Sequence, residues 1–453
     1  MKGHVYQRGS TWSYRFRIPG SKDPVTGKYE WATGSGFPTK READKACRDA
    51  IREVEAGRWV KPSNKTLAEF LTEWLPLIKL SVDATTFANW QFFAKTYVIP
   101  ATVGRMDSDK LIGNDALQKL SAPRLLGFYG ELLAAGRIKA DTNTPMFRYW
   151  SQRTQRGETV TPREVSEACG TTIHAARSAV RRYKSGRVPV EQPPGLAPKT
   201  VRNIHIMLHR ALADAKAWKY IADNPATGIK PPKLRRRKRP VWNPVQLSAF
   251  MDHIHADRFA ALFMLEITTG MRRAELCGLR WPTVDLDAGT LSPQDTLVVV
   301  DGRAVSKEDG KTENADRLIS LDPDTVAELR AWKRLQDSER ASFGNDHAAT
   351  DRVFTWHDGR DVHPDSIRER FKRLGAAAGL PEIRFYDLRH SYVTGALQGG
   401  VRVEVISERI GHASVAFTLA TYNHVTPGMD REAALQGANH LLAHRSPRTP
   451  DLG

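Results

Sequence analysis

The sequence predicts a multidomain chain: a small β-sheet with a helix, an all-α region, and a mixed α+β region that is mainly helical with a small antiparallel sheet. Three observations predict this. The chain has 453 residues, more than one hydrophobic core ordinarily organises. Its apolar pattern has a period of two near the N-terminus and turns helical from Thr66 onward. A stretch of prolines and like charges, Lys230-Pro231-Pro232-Lys233-Leu234-Arg235-Arg236-Arg237-Lys238-Arg239-Pro240, then separates the helical region from one where helices and strand-like segments alternate.

Composition bounds the function. An apolar content of 40% is enough to bury several cores, and no run of apolar residues is long enough for a membrane span. The start, Met1-Lys2-Gly3-His4, lacks the apolar segment of a secretory signal. Cys47, Cys169 and Cys277 lie far apart and read as reduced thiols of a cytosolic protein, with no disulfide or zinc framework. Lys and Arg outnumber Asp and Glu by 68 to 51, a net charge of +17. Nucleic acid is the simplest partner for such an excess. An anionic membrane surface would suit the charge too, but no basic amphipathic anchor or lipidation motif stands out.

The N-terminal sheet is expected over residues 5–37. Trp12, Tyr14, Phe16 and Ile18 alternate with Ser13, Arg15 and Arg17, which puts aromatics on one face and arginines on the other. Asp23-Pro24 and Thr26-Gly27 turn the chain into a strand from Lys28 to Thr33, and a helix follows from about Thr39 to Glu55, ending near Gly57. Such a sheet can enter a DNA major groove through Arg15 and Arg17, or it can be a plain three-stranded domain with a solvated face.

The all-α region opens on a capping box, Thr66-Leu67-Ala68-Glu69, before the stripe Leu67, Phe70, Leu71, Trp74, Leu75 and Ile78. Further helices are expected over Thr86–Ile99, Pro123–Ala135 and Thr200–Tyr220. Between the last two lies an insert, about Arg137 to Pro198. A short helix starting at Thr161-Pro162, a turn at Gly170 and a helix from Thr172 to Tyr183 resemble a helix-turn-helix there. DNA contact and a packing role are both open to it. The Arg235–Arg239 run reads as an extended linker that tracks a phosphate backbone, with Arg235, Arg236, Arg237, Lys238 and Arg239 as its contacts.

In the last region helices are expected over Pro244–His255, Phe259–Thr268, Pro323–Gln336, Asp365–Ala378, Tyr386–Gln398 and Val403–Ile410, with a short one near Met271. Strand-like segments run over Thr296–Val300, Ala304–Ser306 and Arg317–Leu321. Thr269-Gly270-Met271-Arg272 sets an arginine at a helix start, where free N–H groups favour an anion. Glu275 can hold that arginine from behind as an i, i+3 pair. Lys311 and Thr312 fall in the turn between two strand-like segments, with Arg317 leading into the second. Tyr386 and Arg389 share a helix face, while His390 points about 100° away from Arg389. Gly411-His412 and the lone Tyr422 follow.

In this order, Arg272 with Glu275, Lys311 with Arg317, Tyr386-Asp387-Leu388-Arg389-His390, Gly411-His412 and Tyr422 resemble the tyrosine recombinase (phage integrase) family over about Pro240 to His440. The upstream parts resemble the same family: an arm-binding sheet domain over 1–60, then a helical core-binding domain over 61–229 carrying the insert at 137–198. A basic linker over 230–240, a catalytic domain over 241–440 and a tail over 441–453 complete the expected organisation.

The resemblance implies a covalent DNA strand-transfer site. Tyr422 would attack a phosphodiester to give a 3′-phosphotyrosyl link and a free 5′-hydroxyl. Arg272 and Arg389 would hold the non-bridging oxygens, Lys311 would protonate the leaving oxygen, His412 would donate to the same phosphate, and Glu275 would support. No cofactor is implied, neither ATP nor metal, because the link conserves the bond energy. The implied partners are double-stranded DNA attachment sites, a homo-tetramer on DNA, and the accessory DNA-bending protein and excisionase of such systems, with no membrane. The implied location is the bacterial host cytoplasm, in association with the nucleoid.

A free phenol has a pKa of about 10, so Tyr422 needs its cationic neighbours to react. One position departs from the family: Tyr386 stands where imidazole is usual, and it is expected in the active site as a donor to phosphate that cannot shuttle a proton near neutral pH as imidazole can. His390 is not expected to substitute, because it faces elsewhere on the helix. Lys307 is the runner-up for the lysine role. Arg431 to Leu442 is amphipathic and suits either a neighbouring protomer or its own domain. Two other readings stay open, a type IB topoisomerase-like enzyme and a catalytically inactive DNA-binding relative.

Overall fold

A computed structural model describes residues 1–22, 26–139, 141–234, 240–308, 317–412 and 414–422. The turn at Asp23-Pro24, the run Arg235–Arg239, Lys311, Thr312 and the amphipathic stretch after Tyr422 lie outside the described residues. The chain divides into two units, Met1–Arg235 and Arg236–Gly453.

The first unit begins with β1 (His4–Arg8), β2 (Thr11–Lys22) and β3 (Tyr29–Phe37), an antiparallel sheet in the order β1-β2-β3. Helix α1 (Lys40–Glu55) packs on it through Cys47, Ala50, Ile51 and Val54 against Phe16 and Ala32. The expected alternation holds at Phe16, which is buried, and at Arg15 and Arg17, which are exposed. It fails at Ser13. A register shift between Trp12 and Tyr14 breaks the period of two, and Ser13 is buried instead of facing outward with the arginines.

The helical part comprises α2 (Leu67–Ile78), α3 (Ala84–Phe93), α4 (Ala122–Ala135), α5 (Asn143–Gln155), α6 (Pro162–Ala168), α7 (Ile173–Lys184) and α8 (Pro198–Ala217). Thr66 and Glu69 close the expected capping box at the start of α2. Apolar faces of α2, α4 and α8 share one core, in which Trp74 donates to Asp214 at 2.9 Å and Tyr129 meets His205 at 3.1 Å. Helix α5 was not expected from its polar sequence; Met146, Phe147 and Trp150 anchor it in a separate small cluster with α6 and α7.

The second unit comprises α9 (Pro244–Ile254), α10 (Ala260–Thr269), α11 (Arg273–Gly278), β4 (Val284–Asp285), β5 (Thr290–Leu291), β6 (Asp295–Val300), β7 (Arg303–Glu308) and β8 (Ile319–Ser320). It continues with α12 (Pro323–Phe343), α13 (Pro364–Ala377), α14 (Phe385–Gln398), α15 (Val403–Ile410) and α16 (Val415–Tyr422). Phe250, Phe263, Phe371 and Phe385 meet edge-on or tilted at the centre of its core, so α9, α10, α13 and α14 are held together by aromatic contacts. Truncating one such ring would cost about 3–5 kcal/mol.

The strands form two small antiparallel sheets, β4-β5-β8 and β6-β7. This corrects the expected hairpin around Lys311. Segment 317–321 supplies β8, which pairs with β5, whereas β7 pairs with β6 across the Asp301–Gly302 turn. Among the described residues, the strands flanking Lys311 therefore belong to different sheets.

Candidate active site

Two helix ends build the centre of the site. Helix α10 stops at Gly270 and α15 at Gly411, each with a left-handed backbone, φ 64° and 65°. Only glycine fits. A Cβ on Gly270 would come within 2.5 Å of the Tyr392 ring, and one on Gly411 within 2.8 Å of the Arg317 guanidinium. The carbonyls at these ends are gathered by two arginines from distant parts of the chain. Arg389 donates from Nη1 to the Gly270 carbonyl at 2.6 Å and from Nη2 to the Ile410 carbonyl at 2.5 Å. Arg272 donates from Nη2 to the Gly411 carbonyl at 2.6 Å.

Arg272 is the N-cap of α11, and the ion pair expected with Glu275 is present at 2.7 Å. The Glu275 carboxylate also accepts from the Arg272 backbone N–H at 2.8 Å and from Arg317 Nη2 at 2.7 Å. Burial pushes the Glu275 carboxyl up, but Arg317 and Arg272 outweigh it and hold the carboxyl below its ordinary value. In the sequence Arg317 is expected only to lead into a strand and to set the spacing from Lys311. It is in fact a buried partner of Glu275, and its Nε donates to the Arg409 carbonyl at 2.9 Å.

Arg389 is 1% exposed, and among the described residues its Nε has no acceptor. Burial and the Arg272 charge both depress its guanidinium. Beneath it lies Glu266, fully buried on α10. Burial raises the Glu266 carboxyl well above the usual range; Arg389 opposes the rise and Glu275 adds to it. His412 is half-buried, with Nδ1 2.7 Å from the Thr418 hydroxyl. Burial, then Arg389, Arg272 and His390, lower its pKa to about 4.

Tyr422 ends α16 and is buried among Val393, Ile406 and Ile410. Its hydroxyl is hydrogen-bonded to Nδ1 of His390. The expectation that His390 faces away from the site fails here. The 100° offset from Arg389 is real, but α16 packs on that side of α14 and brings the phenol to it. Tyr386, in the first turn of α14, is 44% exposed, and its ring meets His390 edge-on with centroids 5.4 Å apart. The sequence holds one signal that could have found His390, its place beside Arg389; only the packing of α16 gives that place a meaning.

On the N-terminal sheet the arginines lie over aromatic rings. The Arg15 guanidinium is 5.7 Å from the Tyr6 centroid and 5.5 Å from that of Trp31. Arg17 is 4.5 Å from Tyr29 and 5.4 Å from Trp31. Each such contact adds about 0.5–1 kcal/mol at an exposed site and holds the guanidinium in place on the outer face.

Among the described residues no His, Cys, Asp or Glu cluster could hold a metal ion, and no helix is long and apolar enough to cross a membrane.

An arginine pair thus sits on glycine-capped helix ends with a carboxylate behind it, and α16 ends in a tyrosine hydrogen-bonded to His390. Residues 242–429 match the model of the phage integrase family, and residues 4–54 match an arm DNA-binding domain. The chain belongs to the phage integrase family of tyrosine recombinases. It is 28% identical over 242 residues to the ICEBs1 integrase of Bacillus subtilis, covering 53% of this chain and 65% of that one. It is 25% identical over 265 residues to a tyrosine recombinase XerC-like protein of Caldanaerobacter subterraneus, covering 55% and 68%. With the tyrosine recombinase XerC of Xylella fastidiosa it shares 28% identity over 274 residues, covering 58% and 80%. The chain thus spans just under two thirds of the ICEBs1 integrase.

Proposed function

We propose that the chain is a site-specific DNA recombinase of integrase type. It cleaves and rejoins strands through a 3′-phosphotyrosyl intermediate, and integrates and excises a mobile element at attachment sites. One observation carries this reading: Arg272 and Arg389 converge on the same pair of glycine turns, where their charge adds to burial in lowering His412 to about 4. Two guanidinium groups gathered in this way suit an anion such as a phosphodiester, and α16 ends in Tyr422.

In the proposed reaction the two guanidinium groups take the non-bridging oxygens of a phosphodiester and stabilise the charge of the pentacoordinate transition state. The Tyr422 oxygen bonds to phosphorus, the bond to the 5′-oxygen breaks, and that oxygen takes a proton from Lys311. The phenolic proton passes to Nδ1 of His390 in its Nε2-protonated tautomer. Thr418 holds Nδ1 of His412, which leaves Nε2 for the phosphate. Glu275 keeps Arg272 in position, and Tyr386 lines the site beside His390. Rejoining is the reverse attack by a 5′-hydroxyl, with the bond energy retained throughout.

Arg15 and Arg17 serve arm-type DNA, Arg235–Arg239 track phosphates, and a homo-tetramer on DNA is the working assembly. The domain limits proposed for this division of labour are 1–60, 61–229, 230–240 and 241–440. The matched arm DNA-binding domain supports two-site synapsis over a topoisomerase.

The test uses duplexes carrying the element–host junctions, nicked near the cleavage point so that the covalent product accumulates. The native chain should give a protein–DNA adduct on a denaturing gel. Tyr422→Phe should give none while binding the duplex as before. An adduct that persists in Tyr422→Phe would remove the nucleophile assignment. Tight specific binding by the native chain with no adduct would make it a non-catalytic DNA-binding protein.

A further inference from the structure

We propose that the lobe between residues 137 and 198 is an additional reader of duplex DNA, with α7 lying in a major groove. The lobe leaves and rejoins the helical core through one neck. There Arg137 donates its backbone N–H to the Pro194 carbonyl at 2.8 Å and its Nε to the Pro193 carbonyl at 2.7 Å, and Asp141 accepts from the Gln192 N–H at 2.8 Å. Its hydrophobic cluster, with Met146, Val165, Val180 and Tyr183, is separate from that of the surrounding helices. The lobe is therefore a small domain with a core of its own, hung on the chain between α4 and α8.

Its layout is that of a helix-turn-helix. Helix α6 opens on a capping box between Thr161 and Glu164, and Cys169-Gly170-Thr171-Thr172 makes the turn, with Gly170 at φ 60°. Thr172 then caps α7 by accepting from the Ala175 N–H at 3.2 Å. In such motifs the second helix enters the groove and its first turns reach the base edges.

The outward face of α7 fits that occupant. Ala176, Ala179, Val180 and Tyr183 are buried, and His174, Arg177, Ser178 and Arg181 repeat the same spacing on the opposite side, all exposed. From Thr171 to Val190 the chain carries Arg177, Arg181, Arg182, Lys184 and Arg187 and no acidic residue. Elsewhere in the lobe three arginines are paired: Arg148 with Glu191, Arg153 with Glu158 and Arg163 with Glu167. Among the described residues none of the cations on the α7 side has a carboxylate partner. Phosphates flanking a groove would supply one. Arg177 can fork onto guanine, Ser178 and His174 can bond base edges, and Ile173, 38% exposed at the start of α7, can meet a thymine methyl.

The experiment selects from a pool of random-sequence duplexes with the full chain, with Arg177→Ala/Arg181→Ala, and with Arg148→Ala/Arg163→Ala, which removes the same charge from paired positions. A base-sequence motif recovered by the native chain and by the second variant should be lost from the first, its affinity falling on the order of 10- to 100-fold. Ser178→Glu, which puts a carboxylate on the same face without touching the core, should lose that motif as well. Identical motifs from all four proteins would overturn the proposal, even with uniformly weaker binding, because uniform loss is charge attraction without reading. An acidic protein as the true occupant would give that same outcome. The selection gives the same result on a Tyr422→Phe background, so its failure would leave the strand-transfer reading untouched.

Discussion

Nδ1 of His390 is hydrogen-bonded to the hydroxyl of Tyr422, and both side chains are buried. Helix α14 thus presents Arg389 to the two glycine turns and the next residue, His390, to the phenol. An imidazole is therefore at hand although Tyr386 occupies the position where the family usually has one.

If His390 accepts the phenolic proton, His390→Phe should slow single-turnover cleavage on the order of 100-fold or more, with DNA binding unchanged. His390→Gln, which keeps a polar group there, should recover part of the rate. Loss of the buried hydrogen bond in His390→Phe should also cost about 1 kcal/mol of stability. A loss of stability with an unchanged cleavage rate and pH profile would reduce His390 to a packing residue.

Arg272→Ala should lower the cleavage rate by about 100- to 1000-fold with a modest loss of duplex binding, because its donors matter most when charge develops on the phosphate. Arg272→Lys keeps the charge without the fork and should recover little. Single-turnover rates and binding isotherms measured together decide the case; equal losses in both would make Arg272 a binding group only.

Glu275→Gln should destabilise the catalytic unit by about 3–5 kcal/mol, read from the denaturant midpoint. The substitution removes the carboxylate charge that Arg317, whose side chain is 5% exposed, and Arg272 both pair with. A change below about 1 kcal/mol would show that Arg317 finds another partner.

His412 gives a pH dependence with a definite sign. Its pKa is about 4 in the folded chain against the ordinary 6.5. Between these values the unfolded chain holds a proton here that the folded chain does not, so the stability it contributes is full above pH 6.5 and is lost as pH falls toward 4. His412→Asn should flatten the unfolding midpoint across that window. Phosphate binding should raise the imidazole pKa, visible as a shift of its NMR titration when duplex DNA is added. A titration unmoved by DNA would place the phosphate elsewhere.

Much of the fold was legible because its signals are short-range. The Thr66–Glu69 capping box, the Arg272–Glu275 pair and the start of α7 depend on residues three or four apart, and those distances are set as soon as a helix forms. Alternation in β2 was legible for the same reason and failed only at Ser13, where a bulge that depends on the partner strand intervenes. The Lys311 hairpin was misread because strand pairing is a choice among distant segments, and β8 found β5 instead of β7. The sequence by itself singled out the residues proposed to bear the chemistry: Arg272, Arg389, His412 and Tyr422 stand out by type and order and by the family they resemble. Only the tertiary structure decided that Arg317 shares Glu275 and that His390 holds Tyr422. Both contacts join side chains far apart in the chain, and they exist because the tertiary fold buries these polar groups within reach of one another, where a hydrogen bond or ion pair offsets the loss of water.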